Sequence, residues 1–144
     1  MAAIDPKILE NCEVLGRFPL SHVLLLCDAN YPWVLLVPDR ENITESFQLT
    51  LSEQAQLNSE SMCLAKNLAE LFSADKMNIA MIGNIVPQLH VHHVVRYTDD
   101  IAWPKPVWGA HPAKKYTAEK LQQTRAAICQ SLEKNCEGFI LAHG

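Results

Sequence analysis

An α+β fold on an antiparallel sheet is what this sequence predicts, and three features carry the prediction. Apolar runs come in two pairs, each pair joined through turn-forming residues; one long amphipathic stretch lies between the pairs; a second helical stretch follows them. Strands, helix, strands, helix, with no crossover pattern, fits helices packed on an antiparallel sheet.

The first pair is Leu20 to Cys27 and Trp33 to Pro38, separated by Asp28-Ala29-Asn30-Tyr31-Pro32, and reads as a hairpin. Thr50 with Glu53 three residues on forms a capping-box signature. Beyond it Leu57, Ser61, Leu64, Ala65, Leu68, Leu71 and Phe72 share one helical face. The second pair runs from Met77 to Ile82, turns at Gly83 and Asn84, and returns from Gln88 to Tyr97. A last helix is predicted from Thr117 to about Lys134, with Leu121, Ile128 and Leu132 on its apolar side, stopping before Gly138. The terminal Gly138-Phe139-Ile140-Leu141-Ala142-His143-Gly144 is expected to tuck against the globule.

Composition narrows the class. A chain of 144 residues with 49% hydrophobic content can bury roughly 70% of its unfolded surface in one core. The five cysteines, Cys12, Cys27, Cys63, Cys129 and Cys136, are scattered singly without zinc-like spacing, which predicts reduced thiols in a cytoplasmic protein. The N-terminus lacks a basic start followed by an apolar run, and no window approaches the roughly 20 apolar residues of a membrane span. A net charge of −4 argues against binding nucleic acid polymers, which rests on clustered Lys and Arg. A small anionic ligand needs only a local positive site.

The stretch Gln88-Leu89-His90-Val91-His92-His93-Val94-Val95 holds three of the six histidines. In an extended chain alternate side chains share a face, so Gln88, His90 and His92 would form one row and His93 would point away, as a structural residue. Alternate residues stand roughly 7 Å apart, close enough to surround a phosphate. Three readings fit the row. The imidazoles could be satisfied core or surface groups. They could hold zinc, if Asp28 or His22 completed the ligand set. Or a neutral imidazole could attack phosphorus while its neighbours orient it.

The same residues resemble the histidine triad (HIT) motif, His-φ-His-φ-His-φ-φ with φ apolar, and the likeness extends from about residue 10 to residue 108, with Ala102-Trp103-Pro104-Lys105-Pro106 similar to a Trp-Pro segment of one branch. That resemblance implies a HIT-like fold, a twisted antiparallel sheet with a long helix, paired as a homodimer. It implies a HIT domain over residues 1–108, with residues 109–144 as a C-terminal helical extension packed on the same globule. It also implies a nucleotidyl hydrolase or transferase acting on small nucleotides, with no required cofactor and no metal. His90 would attack the α-phosphorus to form a nucleotidyl-histidine, with Gln88 and His92 positioning it. Asp28 would contact the ribose, and Asn78, Asn84 and Trp103 are the further candidate nucleotide contacts.

Two residues depart from the family pattern. Gln88 stands in the place of the first triad histidine; it can donate and accept hydrogen bonds but cannot become cationic. Ile85 stands where hydrolytic members carry Ser or Thr to protonate the leaving group. Leaving groups that need no proton are then favoured, so cleavage of P–O–P bonds, as in dinucleoside polyphosphates, is expected over P–N bonds. The alternative reading is a nucleotide-binding HIT protein with weak catalysis. Lys105, His111, Lys114 and Lys115 form a short basic segment, either solvated or facing outer phosphates.

Overall fold

A computed structural model describes residues 2–143 of the chain. The elements are α1 (Pro6–Leu9), β1 (Cys12–Arg17), β2 (Ser21–Leu26), β3 (Trp33–Pro38), a 3-10 turn (Ser46–Gln48), α2 (Leu51–Phe72), β4 (Lys76–Ala80), β5 (Val91–Arg96), α3 (Ala118–Asn135) and β6 (Ile140–Leu141). The six strands form one sheet in the order β4-β5-β3-β2-β1-β6, with every neighbouring pair antiparallel. The α+β class read from the sequence is the one observed.

Both faces of the central strands are covered, which explains their unbroken apolar runs. On one face Val23, Leu25, Val34, Leu36, Val91 and Val95 pack with Leu57, Leu64 and Leu68 of α2 and with Ile128 and Leu132 of α3. On the other, Leu24, Leu35, Val37 and Val94 meet Ile8 of α1 and Ala102 and Val107 of the segment after β5. A strand buried on both sides has no solvent face for polar residues, so alternation disappears from its sequence.

Helix α2 starts where its cap dictates. Thr50 Oγ1 accepts from the Glu53 N–H at 3.1 Å, and Glu53 Oε1 accepts from the Thr50 N–H at 2.9 Å, satisfying two otherwise orphaned donors. Leu71, placed on the apolar face by periodicity, is 39% exposed, whereas Phe72 beside it packs against the core.

Several expectations are corrected. The return strand does not begin at Gln88: residues 81–90 form a long connection, and the ladder starts at Val91 opposite Leu36. Pro87 has no N–H to give a ladder, and the Leu89 N–H donates to the Ile43 carbonyl instead. The C-terminal apolar end is tucked in only at Phe139, which packs on the core edge to face with Phe18. Ile140 and Leu141 pair with β1 as an exposed edge strand, made possible by Gly16, where a Cβ would run into the Ile140 carbonyl oxygen. Gly144 lies outside the described residues.

The cysteines also differ from expectation. Cys63 on α2 and Cys136 at the end of α3 form a disulfide, with Cα atoms 6.1 Å apart across a separation of 73 residues. Cys12, Cys27 and Cys129 are free. Sequence spacing does not show that α2 and α3 lie side by side, and that packing is what brings the pair together. The reduced-thiol argument for a cytoplasmic location therefore has no force for Cys63 and Cys136. Among the described residues no helix is long and apolar enough to cross a membrane.

Candidate active site

All residues of β5 are buried, so its side chains divide between the two faces of the sheet. Val91, His93 and Val95 face α2, while His92, Val94 and Arg96 face the other layer. His93 is fully buried, with Nε2 2.7 Å from Ser61 Oγ on α2 and Nδ1 near the Val34 and Val91 carbonyls at 3.3 and 3.1 Å. Carbonyls only accept, so Nδ1 carries the proton and Nε2 accepts from the Ser61 hydroxyl. Burial drives its pKa down to about 4, and the two carbonyls offset this only in part. His93 is structural, as its opposite-facing register predicts.

On the other face an open cleft of about 580 Å³ is walled by His90, His92, Trp33, Trp108, Asp28 and Asn84 among others. That volume suits a small organic ligand. None of the described residues lining it is Lys or Arg. The His90 and His92 rings stand 4.8 Å apart, edge to face. His90 Nδ1 lies 2.7 Å from the Gln88 backbone carbonyl. The carbonyl makes that nitrogen the donor, so the Nε2 lone pair is the ring's free nucleophile. Cys27 also lines the cleft, but burial pushes its thiol pKa up, with the nearby Glu13 charge acting in the same sense.

His92 sits between two indoles. Its Nδ1 accepts from Trp33 Nε1 at 3.0 Å, and its ring centroid lies 5.3 Å from that of Trp108. Burial, and then the neighbouring His90, lower its pKa to about 4, against a smaller opposing effect of the Ile82 carbonyl. The contact with Trp33 follows from register. Trp33 pairs with Val94 and Leu35 with His92, so Trp33 and His92 are diagonal neighbours on one face of the sheet.

The predicted site residues do not all converge. His90, His92, Asp28 and Asn84 share the cleft. Gln88 does not. Its Oε1 accepts from the Asp5 N–H at 2.8 Å and its Nε2 donates to the Ala3 carbonyl at 2.9 Å, so the side chain clips the N-terminal segment. The expected row of three fails at its first member because the N-terminal segment holds the Gln88 side chain away from the cleft. Asp28 Oδ1 accepts from the N–H groups of Asn30 (3.0 Å) and Lys114 (3.1 Å), forming a local turn and tethering the segment before α3. Asn78 lies outside the cleft, with its Oδ1 accepting from Arg96 at 2.8 Å. Trp103 is also outside, its ring 5.4 Å from the Arg96 guanidinium carbon, in the wall of a neighbouring cleft of about 620 Å³ that contains Lys105 and shares His111 with the first. His22 lies on β2, 3.8 Å from Asp39, and not against His90 or His92.

Trp108, which the sequence offers either as a base-stacking aromatic or as packing for the tail, lines the cleft, whereas Trp33 is a site residue that sequence reasoning missed. Trp33 reads as the first apolar residue of a strand, and only its diagonal relation to His92 gives it a role. Among the described residues no group of three or more His, Cys, Asp or Glu side chains is arranged to hold a metal ion.

Two imidazoles, His92 on β5 and His90 just before it, thus stand side by side at an open cleft, one presenting a free nitrogen to it. The HIT domain profile matches residues 9–99, and this chain belongs to the HIT family. It is 42% identical to a histidine triad protein from Marinobacter aquaeolei VT8, covering 94% of this chain and 99% of that one with a TM-score of 0.91. It is also 42% identical to a histidine triad protein from Bradyrhizobium japonicum, covering 90% and 96% with a TM-score of 0.88. A protein from Sulfolobus tokodaii titled a hypothetical histidine triad nucleotide-binding protein shares the fold at 16% identity, covering 85% of each chain with a TM-score of 0.65. No curated protein matches the chain.

Proposed function

We propose that this protein is a nucleotidyl hydrolase or transferase that cleaves P–O–P bonds of dinucleoside polyphosphates or related nucleotides through His90. The observation that carries the reading is the His90 ring, its Nδ1–H bound to the Gln88 carbonyl and its Nε2 left free at the cleft. Nε2 attacks the α-phosphorus; a P–N bond forms as the P–O bond to the leaving phosphate breaks, and the electron pair departs on that oxygen. The Gln88 carbonyl then faces the N–H of a ring that has become positive. Water, or another acceptor hydroxyl, attacks the same phosphorus. The P–N bond breaks with its electrons returning to Nε2, and the incoming proton passes to solvent. The ring itself supplies the nucleophile, and this reading invokes no metal or cofactor.

The leaving group follows from what surrounds His90. Ile85, in the connection before β5, is 83% exposed and has nothing to donate. Phosphate leaving groups depart without a proton, whereas amines need one, which favours P–O–P over P–N substrates. Gln88 stands in the first triad place, yet its side chain holds the N-terminal segment rather than a phosphate, so its contribution to the site is its backbone carbonyl. In the cleft Asp28 is suited to accept from sugar hydroxyls, and the Asn84 amide to bond sugar hydroxyls or phosphate oxygens. The protein acts as a homodimer in this reading, supported by the outer edge of β4, where Ile79 is exposed together with Met81 and with Met62 of α2.

Incubation with a dinucleoside polyphosphate is expected to release mononucleotide and to leave a trapped nucleotidylated protein visible by mass spectrometry. His90→Ala abolishes both, while His143→Ala, at the exposed C-terminal end, retains them. Equal turnover by the two variants would reject the assignment. A second reading, a nucleotide-binding protein with little catalysis, draws support from the withdrawal of the Gln88 side chain. Tight nucleotide binding by calorimetry without product over long incubation would favour it.

A further inference from the structure

Trp33 is buried at the start of β3, and nothing in the sequence marks it out. Its indole Nε1 lies 3.0 Å from His92 Nδ1, and both residues are more than nine-tenths buried. An indole N–H can only donate, so His92 Nδ1 can only accept. The single proton of the neutral ring is therefore on Nε2. The ring is packed on three sides, by Trp33 at 5.7 Å, Trp108 at 5.3 Å and His90 at 4.8 Å between centroids. A flip of the ring about its Cβ–Cγ bond would put Cδ2–H in place of Nδ1 and leave the indole N–H without an acceptor. Protonating Nδ1 would set N–H against N–H, which agrees with the low basicity of this imidazole.

We propose that Trp33 is a positioning residue, whose indole N–H fixes His92 as the neutral Nε2–H tautomer and so presents it beside His90 as a hydrogen-bond donor rather than a cation. That this donor serves a phosphoryl oxygen rests on the function proposed above; the assignment of the tautomer does not. The consequence is that His92 meets a phosphate as a neutral donor. The one carboxylate among the described residues lining the cleft is Asp28, and no Lys or Arg lines it.

The test uses the intact protein labelled with ¹⁵N-histidine and the variant Trp33→Phe, which keeps an aromatic ring and removes the N–H. In wild type, two-dimensional ¹H–¹⁵N spectra at neutral pH are expected to show His92 as one tautomer, with an unprotonated Nδ1 and a protonated Nε2. In Trp33→Phe, confirmed folded by circular dichroism, the His92 nitrogens are expected to move toward a tautomer mixture. Its kcat on a dinucleoside polyphosphate should fall roughly tenfold, the factor of one misplaced neutral hydrogen bond, while KM changes little. A wild-type His92 protonated on Nδ1 would overturn the proposal, and that measurement stands even if the variant does not fold. A folded variant with an unchanged His92 spectrum would overturn it equally. Absence of any turnover in wild type would sink the enzymatic reading alone and leave the tautomer assignment to the spectra.

Discussion

Replacing Arg96 with methionine tests how the cleft wall is held. Arg96 is 1% exposed, and its guanidinium donates to Asp100 Oδ2 at 2.8 Å, Asp100 Oδ1 at 3.1 Å, Asn78 Oδ1 at 2.8 Å and the Lys105 carbonyl at 2.8 Å. These bonds fix the segment after β5, which supplies Val107 to the core and Trp108 to the cleft. Methionine fills much of the same volume, so the loss is chiefly electrostatic. Removing one partner of a buried pair costs about 3–5 kcal/mol. Asp100 keeps the N–H groups of Tyr97 (3.1 Å), Ala102 (3.1 Å) and Trp103 (2.8 Å), which places the expected loss at the lower end, about 3 kcal/mol. That is a large share of the roughly 5–15 kcal/mol that stabilises a domain.

Burial alone would raise the Asp100 pKa, but the Arg96 bond and those three N–H groups outweigh it and hold it at about 2. Urea unfolding at pH 7, compared at a common slope, measures the loss. Asp100→Asn, made in wild type and in Arg96→Met, forms a cycle in which the amide substitution should cost at least about 1 kcal/mol less once the guanidinium is gone. A loss below about 1 kcal/mol for Arg96→Met, or an equal cost of Asp100→Asn in both backgrounds, would refute the reasoning.

Acidification should destabilise the protein before its carboxylates titrate. His92 and His93 take up protons near pH 4 when folded, against an ordinary value of 6.5. The unfolded chain therefore binds protons first, and stability falls as pH drops from about 6.5 to about 4, by about 2 kcal/mol for each group between pH 7 and pH 5. Equal urea midpoints at those two pH values would contradict this. Reduction of the Cys63–Cys136 bond, which closes a separation of 73 residues, should lower stability by up to about 4 kcal/mol through the greater freedom of the unfolded chain. Thiol titration in denaturant without reductant should find three reactive cysteines; five would refute the bond.

Sequence alone determined the elements whose physics is local. The capping box at Thr50 and Glu53, the apolar face of α2, the hairpin around Asp28 to Pro32 and the opposed directions of His92 and His93 all depend on residues within a few positions of one another. Each is fixed by hydrogen bonding or side-chain periodicity along one stretch of chain.

Tertiary structure decided whatever depends on partners distant in sequence. Gln88 follows the N-terminal segment, 83 and 85 residues away, instead of its own motif. Cys63 finds Cys136 only because two helices pack side by side. Asn78 and Trp103, plausible ligand contacts by type, are occupied by Arg96. Trp33 acquires its role from a strand that pairs with β3 only after α2 and β4 have intervened. Periodicity gives the side of a strand on which a residue lies; strand order and register give what it meets there.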